Sequence, residues 1–454
     1  MKKNDIYTAD ITDLNNLGMG VCRVDGAVVF VSGAVTGDIA EIKIIKVLSS
    51  YCVARTERIV KPSPWRMKEP FCAVSSSCGG CVYSETTYEK ELELKREYVV
   101  HAMKKARADV KVENVLTAGA FSRYRNKAQY PVSCAKDGRL VSGFFARGTH
   151  RVIPSLDCPL EPEIFSSILA ETLAFFDEKG VSAYDETSSS GLLRHVYVRQ
   201  ARSTREILLC IVINGEGFDG EKEFCSRITG AFPEIKSVYL NVNRDSTNVI
   251  TGKKYRLVWG KEYITDVLCG NRIRISPASF YQVNRDGAEL LYKKAIELLD
   301  TDETKNMLDL YCGIGTIGLS AARLSGVGRL IGVESVEEAV RDARANAADN
   351  GFENCEFICA DASDIAGIFA SRELSLDRVI LDPPRKGCSA ETLDFVAEAR
   401  PEKIVYVSCS PDTLARDIVY LMNKGYSPGT VFPVDMFPRT GHVESVVKLT
   451  RAGL

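Results

Sequence analysis

A cysteine in the run Val407-Ser408-Cys409-Ser410-Pro411 follows an apolar stretch, so its thiol sits where a strand hands over to a helix. A free thiol titrates near about 8.5, and attack at neutral pH needs a lowered value, which a helix N-terminus starting near Asp412 would supply. Downstream, Phe437-Pro438-Arg439-Thr440-Gly441-His442-Val443-Glu444 offers a carboxylate, Glu444, as a general base, with His442 nearby. A thiol and a base together suit one demanding reaction. Carbon-5 of uracil is a poor nucleophile, but a thiolate added to C6 turns the ring into an enolate whose C5 can take a methyl group from a sulfonium. A base must then remove the C5 proton so that the thiol can leave. Singly, each residue has an ordinary reading: a buried structural cysteine for Cys409, loop and strand residues for His442 and Glu444.

A donor of that methyl group needs its own site. Asp309-Leu310-Tyr311-Cys312-Gly313-Ile314-Gly315 follows an apolar strand and opens a helix, so Gly313 and Gly315 would let a ligand approach the backbone at the turn. With Gly318 they make the spacing G-x-G-x-x-G, which by itself would also permit a dehydrogenase. Three acids end later strands: Glu334 in GVE, Asp361 in CAD and Asp382 in ILDPP. Ligands of open α/β sheets lie beyond the carboxyl ends of strands, where one acid can hold ribose hydroxyls and another an adenine amino group. Each acid alone could be the N-cap of the next helix; jointly they favour a bound nucleoside. Asp382-Pro383-Pro384-Arg385 forms a rigid turn against which a flat base could lie. Similar turns in methyltransferases acting on exocyclic amines carry an aromatic next, and Arg385 departs from that pattern.

The elements that must position these residues are legible as periodicity. MLDLY, RLIGVE, EFICAD, DRVILD and KIVYVSC are strands separated by helical patterns, a doubly wound α/β domain over residues 276–454 that opens with apolar residues at helical spacing from Pro277 to Leu299. Residues 1–60 alternate apolar and polar positions in short runs broken by Gly18, Gly20, Gly33 and Gly37, as in a small β-barrel. Residues 61–122 hold a loop rich in Pro, Ser, Gly and Cys, from Lys61 to Tyr83, then a helix from Tyr88 to Ala108. Residues 123–275 read as a mixed α+β domain, mostly strands with one helix at Glu163 to Glu178. The fold class expected is therefore α/β: a C-terminal Rossmann-like domain, an N-terminal barrel and a central mixed domain.

The chain has 454 residues, 45% hydrophobic and 26% charged, which suits a globular protein of several domains. No apolar run is long enough for a membrane span and the first residues lack the apolar core of a signal peptide, so a cytoplasmic location without membrane association is expected. Fifteen cysteines in such a chain argue for reduced thiols, ligands and nucleophiles rather than disulfides. Four of them, Cys72, Cys78 and Cys81 in the irregular loop and Cys158 in SLDCPL, could hold a 4Fe-4S cluster or zinc, and spacing alone does not separate the two. The net charge of −2 does not point to a polyanionic partner. Locally the balance differs: Arg123, Arg125, Lys127, Lys136, Arg139, Arg147 and Arg151 face a single acid, Asp137, over their stretch, with Tyr124, Tyr130, Phe144 and Phe145 interleaved. Phosphates and stacked bases are the expected partners, although a strand face with its apolar side in the core gives the same alternation.

Taken together, DLYCGIGTIGL, LDPPRKG, VSCSPDTLARD and FPRTGHVES resemble the RNA uracil-5 methyltransferase family. The resemblance covers nearly the whole chain, since residues 1–60 are similar to a TRAM RNA-binding barrel, and it is strongest to the ribosomal-RNA branch. It implies S-adenosylmethionine as donor, Cys409 as nucleophile, Glu444 as general base, and Gln282, Tyr311, Glu334, Asp361 and Asp382 as donor contacts. It also implies a 4Fe-4S cluster, rather than zinc, on Cys72, Cys78, Cys81 and Cys158. The expected substrate is an unpaired or remodelled loop of 23S ribosomal RNA, because a base edge is reached only outside its stack, and a monomer suffices. Transfer RNA as substrate, methylation of cytosine C5, and a non-enzymatic RNA-binding assembly factor are the alternatives.

Overall fold

The computed structural model describes residues 1–370 and 375–453. Short alternating strands bury a core by curling their sheet, and the N-terminal segment does so. Ile6–Asp10, Ile39–Val47, Cys52–Lys61, Ala27–Ser32, Gly20–Val24 and Asp13–Leu14 are hydrogen-bonded in that order. Cys22, Val29, Val31, Ile42, Ile44 and Ala54 point into the barrel. Between Lys61 and Tyr88 there is no helix or strand. That segment is anchored instead by the buried Asp38, whose carboxylate accepts from the amides of Val35 and Ser63 at 2.7 and 2.8 Å and from Arg66 at 2.6 Å.

The helix Tyr88–Ala106 carries Glu89 and Glu91 in its first turn and Lys104 and Lys105 in its last, the arrangement that complements the helix dipole. Its Val99 and Met103 pack with Leu414 and Ile418 of the helix Pro411–Asn423, so the chain after the cysteine loop docks directly on the C-terminal domain.

The central sheet runs Lys254–Gly260, Ile235–Val242, Ile207–Ile213, Leu193–Gln200, Lys127–Cys134, Leu140–Phe145, Val152–Pro154. Leu193–Gln200 and Ile207–Ile213 are buried at every position because the sheet is covered on both faces. The helices Glu163–Glu178 and Glu221–Ala231 cover one face through Phe165, Phe176 and Phe224. The hairpin Ile264–Leu268/Asn271–Ile275 shares the apolar cluster on the other face, and the helix Arg285–Leu299 continues that cluster onto the C-terminal sheet, packing on Lys403–Ser408 and Glu444–Arg451. That helix starts later than the apolar spacing from Pro277 suggests. Asn284 caps it by accepting from the Gly287 amide at 3.0 Å, which leaves residues 276–284 as an extended loop.

The C-terminal sheet has the order Cys355–Cys359, Arg329–Glu334, Asn306–Leu310, Arg378–Leu381, Lys403–Ser408, Glu444–Arg451, Tyr426–Val434. The first five are parallel; Glu444–Arg451 is inserted antiparallel beside Lys403–Ser408. The direction of winding reverses between Asn306–Leu310 and Arg378–Leu381, which opens a crevice at their carboxyl ends. The expected α/β class, with barrel and mixed central domain, is the observed one. No helix of the described residues is long and apolar enough to cross a membrane.

Candidate active site

Above that crevice lies a cavity of about 1180 Å³. Gln282, Tyr311, Gly313, Glu334, Asp361, Asp382, Cys409 and Glu444 all line it, so residues from the ends of six strands and one loop converge on a single space. Of the glycines named from sequence, Gly315 does not line it. It adopts a φ of +81° at the start of the helix Thr316–Leu324, and a Cβ there would sit 3.1 Å from the Phe357 ring, so it shapes the turn from behind.

Glu334 accepts from the Gly313 amide at 3.1 Å with one oxygen and from the Val336 amide at 2.9 Å with the other, tying the glycine turn to the next helix. Asp361 does cap a short helical turn, accepting from the Ser363 amide and hydroxyl at 2.9 and 2.7 Å, all at one oxygen. Those hydrogen bonds hold its carboxyl below the usual range, so it is ionised with its other oxygen free. The Pro383-Pro384 turn carries Arg385 into the same cavity, where its guanidinium lies 3.4 Å from His442 Nε2. Burial, then the Arg385 charge, lowers His442, which is therefore neutral at pH 7.

Cys409 and Glu444 are brought together by strand register. Ser408 pairs with Ser445 at the end of the antiparallel ladder, so Cys409 and Glu444 are the next residues opposite one another. The electrostatics differ from the sequence expectation. Although the helix Pro411–Asn423 starts just after Cys409, burial and the facing carboxylates of Glu444 and Asp382 push the thiol up to about 11, with Arg385 opposing. Desolvation outweighs one helix terminus. Burial also raises Glu444 to about 8, with Asp382 adding to the rise, and raises Asp382 to about 7.

Asp309, the first residue of the glycine motif, lies behind the cavity wall, close enough to feel the charges of Asp382 and Glu334. One oxygen accepts from the Gly318 amide at 2.9 Å; the other is buried without a partner, and burial raises the group to about 8. Glu444 and Asp382, two desolvated carboxyl groups on the cavity wall, favour a ligand that brings positive charge. The signal available in sequence was the position of Asp309 at the end of a strand, the same signal that picked out the other acids.

The four loop cysteines also meet. Cys72, Cys78, Cys81 and Cys158 line a second cavity of about 270 Å³, together with Arg125, Lys127 and Glu161. Among the described residues no three His, Cys, Asp or Glu side chains converge closely enough to hold a single metal ion. Glu161, held by Tyr130, is the carboxyl group of that cavity; burial raises it to about 7, with the Tyr130 hydrogen bond and the Arg125 charge opposing.

The basic stretch proves mixed. Tyr124 and Tyr130 are core residues rather than stacking platforms: Tyr124 donates to the Pro438 carbonyl at 2.9 Å and Tyr130 packs against Phe144. Arg123 is occupied by Asp157 and by the carbonyls of Cys158 and Glu161, and Arg139 by Asp137. The alternating strand put its aromatics inward. Arg125 alone of the seven lines the catalytic cavity.

Comparison with known proteins agrees with this geometry. The family model for tRNA (uracil-5-)-methyltransferase matches residues 235–452, and that for the TRAM domain matches residues 2–55. A protein of Halalkalibacterium halodurans named as an uncharacterized RNA methyltransferase is 38% identical over 99% of this chain and 98% of its own. One of the same name from Clostridium tetani is 37% identical over 100% of this chain and 98% of its own. Among solved structures, the tRNA (uracil-54, C5)-methyltransferase of Pyrococcus abyssi in complex with S-adenosyl-L-homocysteine superposes with a TM-score of 0.79 at 28% identity, covering 98% of this chain and 99% of the other.

Proposed function

The chain belongs to the RNA (uracil-5-)-methyltransferase family, enzymes dependent on S-adenosylmethionine, and from that premise we propose that it methylates C5 of a uridine in 23S ribosomal RNA through a covalent Cys409 adduct. The observation that carries this reading is the register that sets Cys409 opposite Glu444 on the rim of the crevice lined by Gly313, Glu334 and Asp361.

S-adenosylmethionine supplies an electrophilic methyl group on a sulfonium. Glu334 and Asp361 would hold its ribose and adenine ends, Gln282, Tyr311 and Asp382 would contact it beside the reacting centre, and the buried carboxyl group of Asp382 would favour its positive charge. Cys409 Sγ gives its proton to solvent and bonds to C6 of the uracil, and the electrons of the C5–C6 double bond move toward the C4 carbonyl oxygen as an enolate. C5 then takes the methyl group as its bond to the sulfonium sulfur breaks, the electron pair staying on that sulfur, so that S-adenosylhomocysteine is left. Glu444 takes the proton left on C5, and the C6–S bond breaks, returning the thiolate and the aromatic ring. A base held near 8 keeps the proton it takes at neutral pH, which suits this last step.

The same values set a pH dependence. Below its raised value Glu444 is protonated, and the thiolate fraction of Cys409 grows about tenfold per pH unit below about 11. Expected kcat/KM therefore rises from about pH 6.5 to about pH 8.5. A profile that is flat or falling over that range, measured with saturating donor, contradicts the assignment.

Four cysteines lining one cavity support the reading of a 4Fe-4S cluster there. A single zinc would need all four sulfurs at about 2.3 Å from one point, whereas a cluster places each cysteine on a different iron. Arg125 and Lys127 would balance the negative charge of the thiolates and cluster. Protein purified without oxygen is expected to contain about four iron and matching acid-labile sulfide per chain, and Cys158→Ser to lose both. Zinc without sulfide, or a metal-free protein with an unchanged melting temperature, overturns this assignment.

The ribosomal target rests on family resemblance, and the likeness to a transfer-RNA enzyme of Pyrococcus abyssi makes transfer RNA the second reading. Mapping 5-methyluridine in RNA from cells with and without the gene decides between them. One chain lines the whole cavity, which supports a monomer as the working unit.

A further inference from the structure

Among the described residues, the two most exposed large apolar side chains are Phe280 at 69% and Leu17 at 62%. Both line the catalytic cavity. Scattered exposed apolar residues need no explanation; two at one cavity mouth, from segments more than 250 residues apart in the chain, do. Phe280 lies on the loop that carries Gln282. Leu17 comes from the N-terminal barrel, the segment that the TRAM-domain model matches.

The turn that presents Leu17 is rigid. The Asn15 side chain accepts from the amides of Leu17 and Met19 at 3.0 and 2.9 Å, and the backbones of Asn15 and Met19 are bonded at 3.0 Å. Arg147 donates to the Leu17 carbonyl at 3.3 Å. The turn is also clamped between two functional loops. On one side Gly18 lies against Val82, the neighbour of Cys81. On the other, a Cβ on Gly441 would come within 1.7 Å of the Asn16 carbonyl, so the loop bearing His442 and Glu444 closes on the turn at backbone contact. Leu17 therefore cannot fold back to bury itself, and the barrel is a wall of the catalytic cavity.

A uridine that enters this cavity leaves a gap in the stack it came from, and proteins that extract or unstack bases commonly fill such gaps with an apolar side chain. We propose that Leu17 is the wedge that occupies the place vacated by the target uridine, making the barrel a substrate-positioning part of the active site. This inference rests on the reading of the cavity as a uridine methylation site.

The test uses two RNAs of identical local sequence around the uridine methylated by the wild-type enzyme: a hairpin that holds it stacked, and an unstructured single strand. Each carries 2-aminopurine beside the uridine. Wild-type protein is expected to raise 2-aminopurine fluorescence in the hairpin. Leu17→Ala is expected to lose most of that rise and to lower kcat/KM on the hairpin by about tenfold or more, while staying within about twofold on the single strand. Leu17→Met should restore the hairpin rate and Leu17→Ser should not. The proposal is overturned if Leu17→Ala lowers both RNAs equally, or neither, with wild-type protein active on both. Wild-type protein inactive on every uridine-containing RNA would remove the underlying function as well, a result distinct from failure of the wedge alone.

Discussion

Cys409→Ala is expected to abolish turnover, by on the order of 10⁴-fold or more, as removal of a covalent nucleophile does elsewhere. Without the sulfur the uracil C5 has no added electron density, and no other group lining the cavity is placed opposite Glu444 to supply it. The same variant should form no adduct with RNA containing 5-fluorouridine, a substrate whose C5 substituent cannot be removed as a proton and which traps the wild-type enzyme. Binding of S-adenosylhomocysteine, measured by calorimetry, should stay within about twofold, because Gly313, Glu334 and Asp361 belong to other strand ends. A variant that still methylates at the wild-type rate removes the covalent mechanism. Wild-type product that is 5-methylcytidine would keep the mechanism and change the base, and an absence of any product would favour an assembly factor.

Glu444→Gln is expected to behave differently, and the difference separates the two roles. Cys409 can still add and C5 can still take the methyl group, but the C5 proton then has no acceptor. Turnover should fall by about 10²- to 10⁴-fold, while a methylated protein–RNA adduct accumulates on ordinary uridine, visible as a mass shift of the intact protein. Removing the carboxyl group also removes a charge that pushes Cys409 up, so adduct formation in a single turnover should not slow. If turnover falls and no methylated adduct appears, Glu444 acts before methyl transfer. If turnover persists, Asp382 or His442 takes the proton, both being on the same cavity wall.

Much of this site is legible in one dimension because parallel α/β alternation puts successive strand ends on one edge of a sheet. Glu334, Asp361, Asp382 and Cys409 each end an apolar run, and a rule about strand ends gathers them without knowledge of their distances. The same rule reaches Asp309 and would have included it. The loop cysteines are legible by type, since an irregular segment rich in thiols needs something other than a core to hold it.

What periodicity could not settle is whatever depends on two segments meeting. Tyr124 and Tyr130 alternate with basic residues as a stacking surface would, but a strand has two faces, and only packing against the helix Glu163–Glu178 and the loop bearing Pro438 decided that both rings turn inward. The helix expected from Pro277 begins at Arg285, because the Asn284 cap and the serine contacts to Asp342 compete with apolar spacing that does not encode them.

The amino-acid order by itself determined the α/β class, the barrel, and the chemistry available to a thiol, a base and a set of strand-end acids, since these follow from local period and residue type. Tertiary structure alone decided that an antiparallel strand inserted beside Lys403–Ser408 sets Glu444 against Cys409, that the thiol is pushed up rather than activated in the free protein, and that Leu17 reaches the cavity. Proximity and desolvation are properties of the packed interior, where register and burial, not order along the chain, set which charges feel one another.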